Sequence, residues 1–255
     1  MTTETIANPD QIQAVFLADL HLSPSTPGTT EAFSAFLADE APKAQSLYIL
    51  GDLFEYWAGD DDIESPLNQQ VLQAIRQLSD SGVRVFWTPG NRDFLTSTGF
   101  AEAGGMTFMP DLEVIQIGEL KIALAHGDEQ CLDDAAYVTF RATVRNPQWQ
   151  QQFLAMPLAQ RKALIESFRK DTSKENEAKP GYESFDLSAS AIESVFATTG
   201  ASVFIHGHIH RSGAYQHNKG IRYSLSDWNM DGAEKKSGWL ELSADGSFVQ
   251  RSLAV

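Results

Sequence analysis

A single cysteine, Cys131, stands in a chain of 255 residues, so no internal disulfide can form and no thiolate zinc finger can be assembled. That usage fits a reducing compartment. Basic residues are scarce: 19 Lys and Arg face 34 Asp and Glu, for a formal charge of −15. Nucleic-acid binding rests on cations that neutralise phosphates, so no nucleic-acid partner is expected. Long hydrophobic runs are absent too. No stretch approaches the ~20 apolar residues needed to span a bilayer. The opening MTTETIANPD carries neither the basic nor the apolar region of a secretory leader. The expected protein is soluble and cytoplasmic, meeting a membrane only from the side. Its 42% hydrophobic and 21% charged residues exclude a disordered or collagen-like chain.

What the chain has is a series of short apolar runs, each ending in a polar cluster. Ala14-Val15-Phe16-Leu17-Ala18 runs into Asp19-Leu20-His21, and Leu47-Tyr48-Ile49-Leu50 into Gly51-Asp52. Val83-Arg84-Val85-Phe86-Trp87 leads to Pro89-Gly90-Asn91-Arg92-Asp93. Ile122-Ala123-Leu124-Ala125 ends in His126-Gly127-Asp128, and Val203-Phe204-Ile205 in His206-Gly207-His208-Ile209-His210. Runs this short and continuous read as buried strands. Between them, Leu67, Val71, Leu72, Ile75 and Leu78 recur at helical spacing, as do Leu187, Ala191, Ile192, Val195 and Phe196. Strands alternating with helices indicate an α/β layer, whose ligands bind beyond the carboxyl ends of the strands. Segments 113–117 and 121–125 flank a turn at Gly118 and read as a hairpin, with further strands at 221–225 and 238–242. The sheets are therefore expected to be mixed.

Residues 131–182 differ. They show no strand-like run, breaks near Pro147, Pro157 and Pro180-Gly181, and eight basic side chains against six acidic ones. This stretch reads as a helical lid inserted into a core of 1–130 and 183–255.

The strand ends carry the chemistry. Asp19 and His21 lie two apart, on one side if the backbone stays extended; Asp52, Asn91, His126, His208 and His210 sit at the other ends. Two carboxylates, one amide oxygen and four imidazoles suit Mn²⁺, Fe²⁺ or Zn²⁺ rather than Ca²⁺ or an iron–sulfur cluster. Seven ligands exceed what one open catalytic metal uses and fit two, with Asp52 as the bridge. Two metals about 3.5–4 Å apart clamp both oxygens of an in-line phosphoryl displacement. They also reverse the sign that an acidic protein presents to an anionic substrate. His206 faces away from this set and reads as structural, His217 as a solvated turn residue and Cys131 as a packing residue.

The ordered set Asp19-x-His21, Gly51-Asp52, Gly90-Asn91-Arg92-Asp93, His126-Gly127-Asp128 and Gly207-His208-x-His210 resembles the calcineurin-like metallophosphoesterases. A narrower likeness rests on the run from Gly51 to Trp57 with Gly59-Asp60-Asp61-Asp62, and on Gly90 to Leu95. It extends through Cys131-Leu132-Asp133-Asp134, Tyr137, Phe140-Arg141, Phe153-Leu154, Pro157-Leu158 and Arg161. These resemble the UDP-2,3-diacylglucosamine diphosphatase family of the lipid A pathway. The resemblance implies an α/β fold, a four-layer αββα sandwich with mixed sheets and a helical lid, holding two Mn²⁺ per chain. It implies hydrolysis of the pyrophosphate bond of UDP-2,3-diacylglucosamine to UMP and 2,3-diacylglucosamine 1-phosphate, a metal-activated hydroxide attacking the α-phosphorus. By the family pattern, Asp19, His21, Asp52 and His210 hold one metal, and Asp52, Asn91, His126 and His208 the other. Asn91, Arg92, Asp134, Thr172, Asn176, Lys179 and His208 contact substrate, with Ser173 an alternative to Thr172. A monomer peripheral on the inner membrane, at its cytoplasmic face, is implied as well.

The loop Gly90-Asn91-Arg92 has Arg where many phosphoesterases have His. An alkoxide leaving group needs a general acid, whereas a phosphate leaving group, with a second pKa of about 6, does not. Arg92 keeps its proton and can bind phosphate oxygens bidentately, which favours a pyrophosphate over an alkyl phosphodiester. A lipid substrate suits the lid: Tyr137, Phe140, Trp149, Phe153, Leu154, Leu158, Leu164, Ile165 and Phe168 pack on the core or line an acyl-chain groove. Arg161, Lys162, Arg169 and Lys170 face anionic headgroups or remain solvated helix charges. The alternatives are a phosphoesterase of the same superfamily acting on a soluble nucleotide or phosphodiester, and a ligand-binding regulator on a decayed scaffold. The second requires a broken ligand set, and all seven positions are filled.

Overall fold

The computed structural model describes residues 11–177 and 186–254, with side chains in the first segment through residue 168. Strands β1 (Ile12–Leu17), β2 (Ser46–Leu50), β3 (Arg84–Thr88) and β4 (Thr107–Phe108) run parallel. Beside β1, β10 (Trp239–Ser243) and β11 (Phe248–Arg251) continue this six-stranded sheet antiparallel. The second sheet has the order β5-β6-β7-β9-β8, built from β5 (Leu112–Ile117), β6 (Leu120–Ala125), β7 (Val203–His206), β8 (Gly213–His217) and β9 (Gly220–Ser224). Its centre, β6-β7-β9, is parallel, and both of its edges are antiparallel.

Alternation along the strands stacks the layers, because successive side chains point to opposite faces. Val15, Leu17, Leu47 and Ile49 turn to one apolar cluster, with Phe33, Phe36 and Leu37 of α1 (Pro27–Asp39) and Val71, Leu72, Ile75 and Leu78 of α2 (Pro66–Asp80). Ala14, Phe16, Tyr48 and Leu50 turn the other way and meet Ile122, Leu124, Val203 and Ile205 of the second sheet. Ala123, Ala125 and Phe204 face away again, against Ile192, Val195 and Phe196 of α7 (Ala189–Thr199). Three apolar seams between helix, sheet, sheet and helix make a four-layer αββα sandwich with two mixed sheets. Between the sheets, rings of Phe16, Tyr48 and Phe86 stack at 5.0 and 4.6 Å.

The hairpin is β5–β6, with Gly118 at φ 56° in its turn. The helical periodicity at 67–78 falls in α2 and that at 187–196 in α7, except that Leu187 precedes the helix by two residues. The strands expected at 221–225 and 238–242 are β9 and β10, each one residue out of step. Strands β8 and β11 have no fully buried residue, so no apolar alternation announces them. A short helix, α3 (Thr98–Ala103), precedes β4.

Residues 135–177 form three helices: α4 (Ala135–Val144), α5 (Pro147–Leu154) and α6 (Leu158–Glu177). Pro147 opens α5 and Asn146 caps it, accepting from the backbone of Gln148 and Trp149. Phe153 is buried in the α1–α2 seam, with Trp149, Met156 and Ile165 packed against it. Arg161 corrects the expectation of a headgroup-facing or solvated charge. It is 1% exposed, and its guanidinium donates to the carbonyls of Met156 and Ala58 and to the Asp61 carboxylate. An arginine whose fork is filled by buried acceptors has nothing left for a lipid. Lys162 pairs with Asp62 at 2.6 Å. The side chains of Arg169 and Lys170 lie outside the described residues.

Candidate metal centre

The strand ends converge on one place at the rim of both sheets. Among the described residues, five that are not glycine take a positive φ: Asp19 (57°), His21 (50°), Asp52 (51°), His208 (69°) and His210 (55°). All five belong to the expected ligand set. Left-handed backbone is strained for side-chain-bearing residues, and such residues cluster where a site needs an unusual orientation. Glycines let the loops close up. A Cβ on Gly90 would overlap Asp52 Oδ1, and one on Gly207 would lie 2.5 Å from Asp19 Oδ2.

The donors form two groups. In the first, His21 Nε2 and His210 Nε2 are 3.1 Å apart, and His210 Nε2 is 3.6 Å from Asp19 Oδ1. In the second, Asn91 Oδ1 lies 2.9 Å from His126 Nε2 and 2.8 Å from His208 Nδ1. Asp52 stands between them, its Oδ2 at 3.6 Å from His126 Nε2 and 4.0 Å from His21 Nε2. Asp19 with His21 and His210, and Asp19 with Asp52 and His126, each bring donor atoms close enough to share one ion. Asp19 Oδ1 is buried without a hydrogen-bond partner, a costly state that a cation relieves. Donor chemistry, the orphaned oxygen and the cradle of glycines fit a pair of divalent metals.

Neighbouring groups aim these ligands. His126 Nδ1 donates to the Leu50 carbonyl at 2.9 Å, which orients the ring and turns Nε2 towards Asn91 Oδ1 and Asp52 Oδ2. His21 Nδ1 lies 3.0 Å from Glu55 Oε2. Asp93 accepts from the backbone of Gly90, Asp52, Leu53 and Phe54, tying the Asp52 loop to the Asn91 loop. The Lys236 ammonium donates to the His210 carbonyl at 2.8 Å and to Asp227, whose Oδ2 is 3.9 Å from His210 Nδ1. Glu55 and Asp93 stood inside motifs read from the sequence without a role, because only the fold shows what they touch. Asp227 and Lys236 gave no local signal.

Burial opposes charge throughout the site. It lowers His21, but the Glu55 hydrogen bond and the Asp52 and Asp19 carboxylates outweigh it and raise the ring above its ordinary value. Burial likewise works against His126 and His210. The first is raised by Asp52, Asp19 and Asp128, the second by Asp19. His208 is pushed down to about 4 by burial and by His126. Burial raises Asp19, yet His210, His126 and His21 together hold it well below the carboxylate range. Burial and then Asp52 push Asp93 up to about 7, against the N–H groups that it accepts from.

Of the expected substrate contacts, Asn91 and His208 stand in the second donor group. Arg92 is exposed and its backbone N donates to Asp52 Oδ1 at 2.8 Å. Asp134 caps α4, accepting from Tyr137 N at 2.9 Å. Lys179 and the side chains of Thr172 and Asn176 lie outside the described residues. His206 is fully buried, its Nδ1 2.8 Å from the Gly207 carbonyl, and burial pushes it down to about 3. His217, expected to be solvated, is instead half-buried at the end of β8, its ring 5.9 Å from that of Phe196. Cys131 is 2% exposed, and burial pushes its thiol up to about 12.

A family model described as calcineurin-like phosphoesterase matches residues 12–212, a span that includes all seven donors. The chain belongs to that family. It is 42% identical over 226 residues to a UDP-2,3-diacylglucosamine hydrolase of Aromatoleum aromaticum, covering 86% of this chain and 91% of that one. It is 40% identical over 226 residues to a protein of the same name from Escherichia coli O139:H28, covering 87% and 93%. Among solved structures, an archaeal phosphodiesterase matches with 12% identity and a TM-score of 0.48, over 94% of this chain and 99% of that one. As a family member, this phosphoesterase carries its donor residues at the carboxyl ends of β1, β2, β3, β6 and β7.

Proposed function

We propose that this chain hydrolyses UDP-2,3-diacylglucosamine to UMP and 2,3-diacylglucosamine 1-phosphate. Water adds its oxygen to the α-phosphorus, and the bond to the bridging oxygen breaks. The observation that carries this reading is identity of 40–42% across 226 residues to proteins named for that substrate, joined to a complete donor set. Asp19, His21, Asp52 and His210 would hold one metal, and Asp52, Asn91, His126 and His208 the other, with Mn²⁺ as the ion. When bound, such a pair supplies positive charge against phosphoryl oxygens and makes water a nucleophile near neutral pH.

The chain's own groups do the rest. His208, held near 4, stays neutral and keeps a lone pair to offer. Asp52 presents Oδ2 between the two groups while the Arg92 backbone holds Oδ1. The exposed Arg92 guanidinium would bind the phosphate leaving group, which needs no proton. We read 131–182 as a lid for the acyl chains and for peripheral contact of a monomer with the inner membrane. Exposed Leu132 (51%), Phe140 (50%) and Phe168 (61%) support that role, as burying each methylene is worth about 0.8 kcal/mol. No described helix is long and apolar enough to cross a membrane.

The test is product analysis with UDP-2,3-diacylglucosamine and Mn²⁺, beside Asp52→Ala and a chelator control. UMP and the diacylated sugar phosphate should appear, and both should be lost in the variant and with chelator. Intact lipid with cleavage of a soluble phosphodiester would leave only the family assignment standing.

A further inference from the structure

Helix α4 reaches the donor loops through contacts that the ligand pattern does not account for. Arg141 Nε donates to Asp128 Oδ2 at 2.8 Å, and its Nη2 donates to Asp111 Oδ2 at 2.7 Å. One turn on, Arg145 Nη2 donates to the Gly90 carbonyl at 3.1 Å, and its Nη1 lies 3.5 Å from Asp111 Oδ1. The Arg145 guanidinium also sits 5.4 Å from the centre of the Phe94 ring. Asp128 is 4% exposed and accepts a second bond, at 2.7 Å, from the Tyr137 hydroxyl.

The positions of these acceptors matter. Asp128 stands two residues after His126, and Gly90 directly precedes Asn91. Arg141 of α4 and Arg145 at its C-terminal cap therefore hold two of the three loops that carry the second donor group, those of His126 and Asn91. Among the described residues, no hydrogen bond or ion pair joins α4 to Asp19, His21 or His210. A planar fork is well shaped for this: Arg141 bridges two carboxylates from different elements at once, which a point-charge ammonium does less well. Asp93 ties the Asn91 loop to Asp52 from within, while Arg145 holds it from outside.

We propose that Arg141 and Arg145 are positioning residues for the second metal. They set Asn91 and His126 in register with Asp52, and the first group does not depend on them. The inference rests on the two-metal reading of the proposed function. It is tested by Mn²⁺ titration of metal-free protein in a calorimeter, on wild type, Arg145→Met, Arg141→Met and Arg145→Lys. Arg76→Met, which removes a surface pair with Asp80, serves as a control. Circular dichroism checks that each variant is folded.

Wild type should take two ions per chain. In each Met variant one ion should bind as in wild type, and the other about tenfold or more weakly, as expected when the partner that orients a ligand is removed. Arg145→Lys, which retains the charge and loses the fork, should fall between, and it carries the test if a Met variant does not fold. The control should match wild type. Two unchanged ions in the variants, or equal weakening of both, would overturn the inference and leave the two-metal reading intact. Fewer than two ions in wild type would overturn both.

Discussion

At the scale of single residues, the site depends on atoms that are missing as much as on donors that are present. Gly90 lets Asp52 Oδ1 approach so closely that a Cβ would overlap it, and the nearest neighbours of that Cβ include Asp52 backbone as well. Gly90→Ala should therefore push the Asp52 and Asn91 loops apart. Metal affinity is expected to fall about tenfold or more, by analogy with the loss of groups that orient ligands. Equilibrium dialysis reads this, and an unchanged affinity would contradict the close approach. The seven donors were legible because each follows an apolar strand run and polar residues there have few other reasons to collect. Glu55 and Asp93 were not legible in role. Glu55 acts on His21 and Asp93 on the backbone of 52–54, and no local pattern announces a partner that lies 34 or 41 positions away.

At the scale of elements, strands were easier to read than what packs beside them. Arg84 apart, the runs that became β1, β2, β3, β6 and β7 are apolar whichever face they show, whereas β8 and β11 are edge strands with half-buried or exposed side chains. Helices α4 to α6 were legible as helices from proline breaks and the lack of strand runs. Arg161 shows where that reading stops, because a helix considered alone cannot reveal that one of its arginines enters a neighbouring loop. Its guanidinium joins α6 to 58–61, and Gly59 leaves it room there, since a Cβ on Gly59 would strike Nη1. Arg161→Ala leaves the fully buried Ala58 without this donor, a loss of about 1–3 kcal/mol. Lys162→Ala removes a half-buried ion pair with Asp62 and should cost within about 1 kcal/mol. Urea unfolding of the two variants should separate them in that order, and equal effects would return Arg161 to the surface charges.

At the scale of the whole molecule, a chain with a formal charge of −15 gathers four imidazoles and two carboxylates in one buried place. Such crowding governs where protons sit. His21, His126 and His210 are each raised above 6.5 in the metal-free protein, because their carboxylate neighbours outweigh burial. A group raised in the fold contributes stability that is complete below its unfolded value and lost as pH rises through its folded value. The metal-free protein therefore loses this contribution on the alkaline side. Metals take neutral imidazole, so binding must expel whatever protons these rings hold. His208, held near 4, has none to give at neutral pH. Proton release on adding Mn²⁺ should accordingly grow as pH falls through the raised values of these three rings and drop towards zero at alkaline pH. Calorimetry in two buffers of different ionisation enthalpy measures it directly. The gap in melting temperature between metal-loaded and chelated protein should widen with pH over the same range, as binding strengthens and the bare imidazoles lose their contribution. A proton count that does not change with pH would mean that these imidazoles are not the ligands.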